Sequence, residues 1–467
     1  MITPRILIIL LLFQTAVYSQ LQMPPLFEDH MVLQQQEMVS IWGTDQPHTT
    51  IRVAGSWNER ASTTTDNKGK WKVKLQTPEA GGPYSVSIEG SNKVVFTDVL
   101  IGEVWLCSGQ SNMEMPVKGF QSQPVIGSHE AILNSTNDQI RLFTVARHPS
   151  LTPVENISGA WLKSNPVNSR DFSAVGYFFG RKINQLLNIP IGIIHTSWGS
   201  SNVETWMDEE TLSEFKNVEI PNEIPKDKPQ KYDTLLFNGM LYPLQDYTLK
   251  GFLWYQGEAN RNSSNYASLF AAMIQQWRNQ WSRGDLPFYF VQIAPYGYKG
   301  KNAGYVREEQ LKTLKLVQNA GMAVTLDIGD CKYIHPPEKR LVGERLAYWA
   351  LAKDYGIKGI SYSGPIYERM EKTDNGEINL YFSECNDGLI SFGKKLEGFV
   401  IAGKDKVFYP ATAIVNRNGT VTVFSEKVPD PVAVRYAFES CPEATLFNIE
   451  GLPASPFRTD DWEDTGD

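Results

Sequence analysis

Ser111 stands in Gly109-Gln110-Ser111-Asn112-Met113, directly after the apolar run Val99–Cys107. A strand that stops at Gly109 and turns into a helix sets Ser111 at the strand's carboxyl end, with the amides of the first turn pointing outward. A serine so placed can attack an acyl carbon and lend its own N–H to the resulting oxyanion. The same position also suits plain helix capping. The pattern is not the G-x-S-x-G elbow of the α/β-hydrolases. A serine nucleophile needs a base, most often histidine, and the chain has six histidines. His30 and His48 lie in strand-rich sequence, and His129 and His148 in polar loops. His195 ends an apolar strand and reads as a buried structural histidine. His335 follows the apolar strand Met322–Ile328 and precedes a helix with Val342, Leu346, Trp349 and Ala350 on one face, Pro337 falling in its first turn. His335 therefore lies where a base could be oriented, with a structural loop histidine as the plain alternative.

Two further strand ends offer oxyanion donors. One is the Gly199 N–H in Thr196-Ser197-Trp198-Gly199-Ser200, and the other is the Asn260 amide in Trp254-Tyr255-Gln256-Gly257-Glu258-Ala259-Asn260. The expected substrate contacts beside them are Gln110, Trp198, Gln256 and Glu258. An ordinary βα loop is the plain alternative for each segment. For the group that orients His335, Asp330 is the expected carboxylate. Asp327, an acid distant in sequence, and a backbone carbonyl, which would leave a Ser–His dyad, stay open.

Three regions must position these residues. Residues 20–98 carry short alternating runs (Val39–Trp42, Thr50–Val53, Trp71–Leu75, Tyr84–Ile88) separated by turn clusters, which predicts a small β-sandwich or jelly roll. Residues 99–357 alternate apolar strands with helical patterns, at Phe172–Leu187, Tyr266–Trp281 and Val306–Gln318. That alternation predicts a largely parallel sheet covered on both faces, with ligands at the strands' carboxyl ends. Within it, Ser201–Tyr247 has Pro221, Pro225 and Pro229 among charges and reads as an exposed loop or lid. Residues 358–467 return to strands, with Asn416–Gly419 as a hairpin loop. Residues 1–19 have Arg5, the apolar run Ile6–Phe13 and small residues up to Ser19, the layout of a secretory leader cleaved near Ser19–Gln20. A secreted or periplasmic location is therefore expected.

Composition narrows the classes. The chain of 467 residues is 42% hydrophobic and 21% charged, enough for a packed core of several domains. Its net charge of −8 argues against nucleic acid as a partner. No stretch beyond the leader is apolar enough for a membrane span. The four cysteines form no CxxC pair, so a zinc ribbon is excluded; no metal or cofactor is expected. Export would permit a disulfide, without indicating which cysteines pair.

The run Gly102–Met115 closely resembles the nucleophile block of the sialate O-acetylesterase family, a branch of the SGNH (GDSL-like) hydrolases. The four residues that name that superfamily are matched in order by Ser111, Gly199, Asn260 and His335. Leu236–Leu244 and the N-terminal Met31–Gln34 with Trp42-Gly43 are similar to other family stretches. The resemblance implies a flavodoxin-like three-layer α/β sandwich with a mostly parallel sheet, flanked by β-sandwich or jelly-roll regions. It implies a metal-independent serine esterase that removes O-acetyl groups from sialic acid through an acetyl-enzyme. An esterase for acetylated xylan or another plant polysaccharide is the same-class alternative, and a non-catalytic carbohydrate-binding protein on this scaffold the different-class one. Two departures stand out: Ser200 replaces a frequent second glycine, and Tyr333 stands where the family often has the aspartate that orients the histidine.

Overall fold

The computed structural model describes residues 20–462, so the expected leader at 1–19 lies outside the described residues. The fold is mixed α/β, an 11-stranded mixed sheet with several smaller antiparallel sheets around it. Its organising element is β1, Lys93–Gly109, a continuous strand of 17 residues. The other strands of the main path are β2 (Asn137–Thr144), β3 (Trp161–Ser164), β4 (Ile191–Ser197), β5 (Gly251–Tyr255), β6 (Phe288–Val291) and β7 (Ala320–Ala323), in spatial order β7-β6-β5-β1-β4-β2-β3. All neighbours on this path pair parallel except β2 with β3.

Successive residues of β1 point to opposite faces, and both faces are covered. Trp105 and Cys107 pack in one core with Ile193, Leu253, Tyr255 and Tyr289, under α1 (Ala174–Leu187) and α4 (Lys339–Lys353). Val104 and Leu106 pack in the other with Ile194, Phe252, Trp254 and Phe290, under α2 (Tyr266–Trp281) and α3 (Gly304–Leu316). Helix α1 starts where Ser173 caps the Gly176 N–H and stops at Asn188, whose φ of 53° is left-handed. The helical spacing read in Tyr266–Trp281 places Leu269, Phe270, Met273, Ile274 and Trp277 in the core.

The amino-terminal half of β1 belongs to the preceding β-rich region. It pairs antiparallel with Gly81–Glu89 and parallel with Val32–Gln34. The boundary drawn at 98/99 thus falls inside one unbroken strand. After α4, the chain builds two four-stranded antiparallel sheets, one of which contains the hairpin closed by Asn416 and Thr420.

Ser201–Tyr247 is not a loop or lid over its whole length. Val203, Trp206, Met207, Leu212, Leu235, Leu236, Met240, Leu241 and Leu244 are buried. Short helical turns at Glu204–Trp206, Glu209–Ser213 and Phe237–Leu241 carry Trp206, Leu212, Met240 and Leu241 inward. Only the proline-rich middle, about 216–229, stays largely at the surface. The prolines and charges there obscured the apolar residues on either side.

Candidate active site

Three strand ends are laced together at the centre of the sheet. Gln110 N–H donates to the Tyr255 carbonyl at 3.0 Å, and Trp198 N–H to the Gly109 carbonyl at 3.1 Å. Gly109 has φ of +136°, and a Cβ there would lie 2.2 Å from the Tyr255 oxygen, so only glycine fits. Past it, the short helix Ser111–Glu114 begins without a side-chain cap. Ser111 does not take the capping role, because it is the first helical residue and its hydroxyl faces His335. Met113 and Glu114 return their amides to Gln110 O.

His335 Nε2 lies 2.8 Å from Ser111 Oγ, on a loop 224 residues away in sequence. Burial first, and then the Lys339 ammonium, pushes the His335 pKa down to about 4. The imidazole is therefore neutral at ordinary pH and can accept the serine proton. Pro337 precedes α4 rather than opening it, and its carbonyl accepts from the Ile126 and Lys339 amides, each at 2.9 Å.

Asp330 does not reach His335. It is exposed and its Oδ1 accepts from Lys332 N–H at 2.7 Å, in a tight turn that also pairs Asp330 with Tyr333. Asp327 is held by Arg345 through two contacts of 2.7 and 2.6 Å. The outer nitrogen, Nδ1, instead meets Gln123 Oε1. Nothing in the sequence marked Gln123, which lies in a polar turn a dozen residues after the serine.

Gly199 comes close to Ser111: a Cβ there would lie 3.3 Å from Ser111 Cβ. Its N–H, expected to face an oxyanion, donates to Glu114 Oε2 at 2.8 Å. Glu114 is also bound by Arg147, whose guanidinium stacks over the Trp198 ring at 5.0 Å. Asn260 donates through Nδ2 to Glu204 Oε2 at 2.9 Å, while its Oδ1 accepts from Val203 N–H at 2.9 Å. An amide nitrogen has two hydrogens, so one remains for a ligand.

Of the expected substrate contacts, Trp198 alone is half-exposed. Gln110 is buried and accepts from Ala259 N–H at 3.2 Å. Gln256 is buried between the Ser201 carbonyl, Asn260 and Tyr266. Glu258 is buried and accepts from Asn112 Nδ2 at 2.5 Å. These three hold the site's loops from behind, which corrects their reading as sugar ligands. Asn112 also accepts from the Lys339 ammonium and donates to the Ile334 carbonyl at 3.1 Å. Burial pushes the Glu258 carboxyl up and the Lys339 ammonium down to about 7. Sequence patterns gave no sign of Lys339, which lies on a charged-looking helix start.

A disulfide joins Cys331, four residues before His335, to Cys441 in the C-terminal region; Cys107 and Cys385 are free. His195 is buried, with Nε2 on Ser197 Oγ and Nδ1 unpartnered. Burial lowers its pKa to about 4. Its folded pKa lies below the ordinary 6.5, so its contribution to stability is complete above about pH 6.5. That contribution is lost as pH falls toward 4, and amounts to on the order of 3 kcal/mol. His195→Asn is expected to flatten the dependence of the urea midpoint on pH between about 4 and 6.5. An unchanged slope would show that another group carries it.

Comparison with known proteins places this geometry in context. The family described as carbohydrate esterase, sialic acid-specific acetylesterase matches residues 101–351. Human sialate O-acetylesterase is 30% identical, over 91% of this chain and 90% of its own. The mouse sialate O-acetylesterase is 29% identical, over 92% of each. A crystal structure of a carbohydrate acetylesterase from Xanthomonas citri is 38% identical, with a TM-score of 0.87, and covers 95% of this chain and 100% of that one.

Proposed function

The chain belongs to the sialic acid-specific acetylesterase family of carbohydrate esterases, and from that premise we propose that Ser111 and His335 are its nucleophile and base and O-acetylated sialic acid its substrate. It is a carboxylic ester hydrolase that deacetylates sugars. The observation that carries the catalytic reading is the 2.8 Å contact between Ser111 Oγ and His335 Nε2. Ser111 Oγ attacks the acetyl carbonyl as His335 Nε2 takes its proton. The tetrahedral oxyanion is met by the Ser111 N–H and the second Nδ2 hydrogen of Asn260, with the Gly199 N–H joining as Glu114 gives it up. His335 returns the proton to the departing sugar oxygen, and the acetyl group stays on Ser111. Water, deprotonated by His335, then releases acetate. The four ordered blocks and the two-layer helical cover of a mostly parallel sheet support an SGNH-type fold.

Sialic acid as the sugar rests on the curated relatives. The Xanthomonas citri neighbour is described only as a carbohydrate acetylesterase, which keeps a neutral acetylated polysaccharide as the second reading. Secretion after cleavage near Ser19–Gln20 is supported by the leader layout and suits the Cys331–Cys441 bond, which an oxidising compartment maintains. The test is acetate release from O-acetylated sialic acid and from acetylated xylan, with a fluorophosphonate adduct mapped in parallel. Preference for the sialic ester with the adduct on Ser111 is expected. Release from xylan alone would replace the substrate, and an adduct on another serine would replace the nucleophile.

A further inference from the structure

We propose that Gln123 is a positioning residue for the reaction, its amide oxygen accepting the Nδ1–H of His335 so that Nε2 is left bare toward Ser111. The proposal rests on the reading of Ser111 and His335 as nucleophile and base. A neutral imidazole carries one proton, and whichever nitrogen holds it cannot accept another. An acceptor at Nδ1 therefore fixes the tautomer that a base at Nε2 requires. Carboxylates usually fill this role, and both nearby ones are engaged elsewhere, Asp330 with Lys332 and Asp327 with Arg345.

The segment that presents Gln123 is built rather than loose. Gly119 N–H donates to the Pro116 carbonyl at 2.8 Å, and Gln123 N–H to the Phe120 carbonyl at 3.1 Å. Gly119 has φ of +82°, and a Cβ there would lie 2.4 Å from the Gln123 carbonyl oxygen, so the turn is closed around a glycine. The Phe120 ring meets the imidazole edge-on at 5.4 Å between centroids. Ile126 N–H ties the end of the segment to Pro337, two residues past His335.

An amide orients an imidazole without attracting charge to it. An aspartate at Nδ1 would favour the imidazolium, whereas glutamine leaves the base neutral further into acid. The charged groups facing this corner are Lys339 from α4 with Glu258 behind Asn112, the Glu114–Arg147 pair beside Gly199, and Asp330 and Lys332 on the histidine's own loop. Lys339 opposes protonation of His335, and no carboxylate is bonded to its ring.

The experiment measures kcat, KM and the pH profile of kcat/KM with 4-nitrophenyl acetate for Gln123→Ala and Gln123→Glu, with fluorophosphonate labelling of Ser111 as a reference. Gln123→Ala is expected to lower kcat on the order of 10²-fold with KM little changed. Gln123→Glu, the same size and shape, is expected to keep turnover near neutral pH and to move the acid limb upward by about one to three pH units. Wild-type kcat in Gln123→Ala, or an unmoved acid limb in Gln123→Glu, would overturn the proposal. Either result with Ser111 still labelled leaves the nucleophile in place; labelling that persists when Ser111 is replaced by alanine condemns the underlying reading instead.

Discussion

Replacing Ser111 by alanine is expected to lower kcat by on the order of 10⁶-fold, with substrate binding and thermal stability close to those of the parent. The loss is large because, in the proposed mechanism, the hydroxyl is the atom that forms the acyl-enzyme, and His335 Nε2 lies 2.8 Å from it. The fold should survive, since Ser111 Oγ contributes no cap to its helix. The oxyanion donors would also survive, so a small rate above the uncatalysed one should remain. Single-turnover kinetics with 4-nitrophenyl acetate and a binding measurement with an acetylated sugar check both halves. Retention of more than a few per cent of kcat would remove Ser111 from the nucleophile's role.

The second large effect is on stability. Lys339→Met is expected to cost about 3–5 kcal/mol, read as a fall in the urea midpoint at neutral pH. Lys339 is fully buried; its ammonium donates to Asn112 Oδ1 and lies 5.2 Å over the Tyr255 ring. Glu258, buried on the other side of Asn112, attracts it. Methionine preserves the volume and removes the charge, which leaves Asn112 Oδ1 without a donor and the Glu258 carboxyl without a counter-charge. Adding Glu258→Gln to Lys339→Met should recover a substantial part of the loss, because the uncompensated acid is gone. A double variant whose cost equals the sum of the two single costs would show that the residues do not interact. Turnover should fall as well, since Asn112 also holds the Ile334 carbonyl beside the base.

The strands and helices that carry the site were legible because their signal is local. Val99–Cys107 shows an apolar run, and Tyr266–Trp281 shows helical spacing, each read within one element. Ser111, Gly199, Asn260 and His335 stand out in the sequence because each lies in a recognisable block that follows an apolar run. The partners of these residues were not legible. Gln123 meets His335 across 212 residues of sequence, and Asn112 meets Lys339 across 227. Such contacts depend on where two distant segments meet in space, and no periodicity encodes them. Asp330 is the expected partner on sequence because a carboxylate close along the chain looks available. The turn that binds Asp330 to Lys332 and Tyr333 shows why nearness along the chain was a poor guide. Gln110, Gln256 and Glu258 are buried for a related reason: polar residues next to Ser111 serve as the internal bracing of its loops.

Ser111 and His335 are anchored to different neighbours. Ser111 follows a strand whose first half is woven into the N-terminal β region, where Val104 N–H donates to Gln34 Oε1 at 2.9 Å. His335 hangs on a loop stapled at Cys331 to Cys441, whose neighbours Glu439 and Ser440 are gripped through their carbonyls by the buried Arg307. The span between the two reacting atoms is therefore set by both flanking regions, much as a jaw is set by the arms on either side of its hinge. For anyone grafting this chemistry elsewhere, the transferable unit is not the matched stretch 101–351 alone. It includes the strands Val32–Gln34 and Gly81–Glu89 that pair with β1 at one end and the Cys441 segment at the other, and a fusion partner belongs on the outer faces of those regions rather than in place of them.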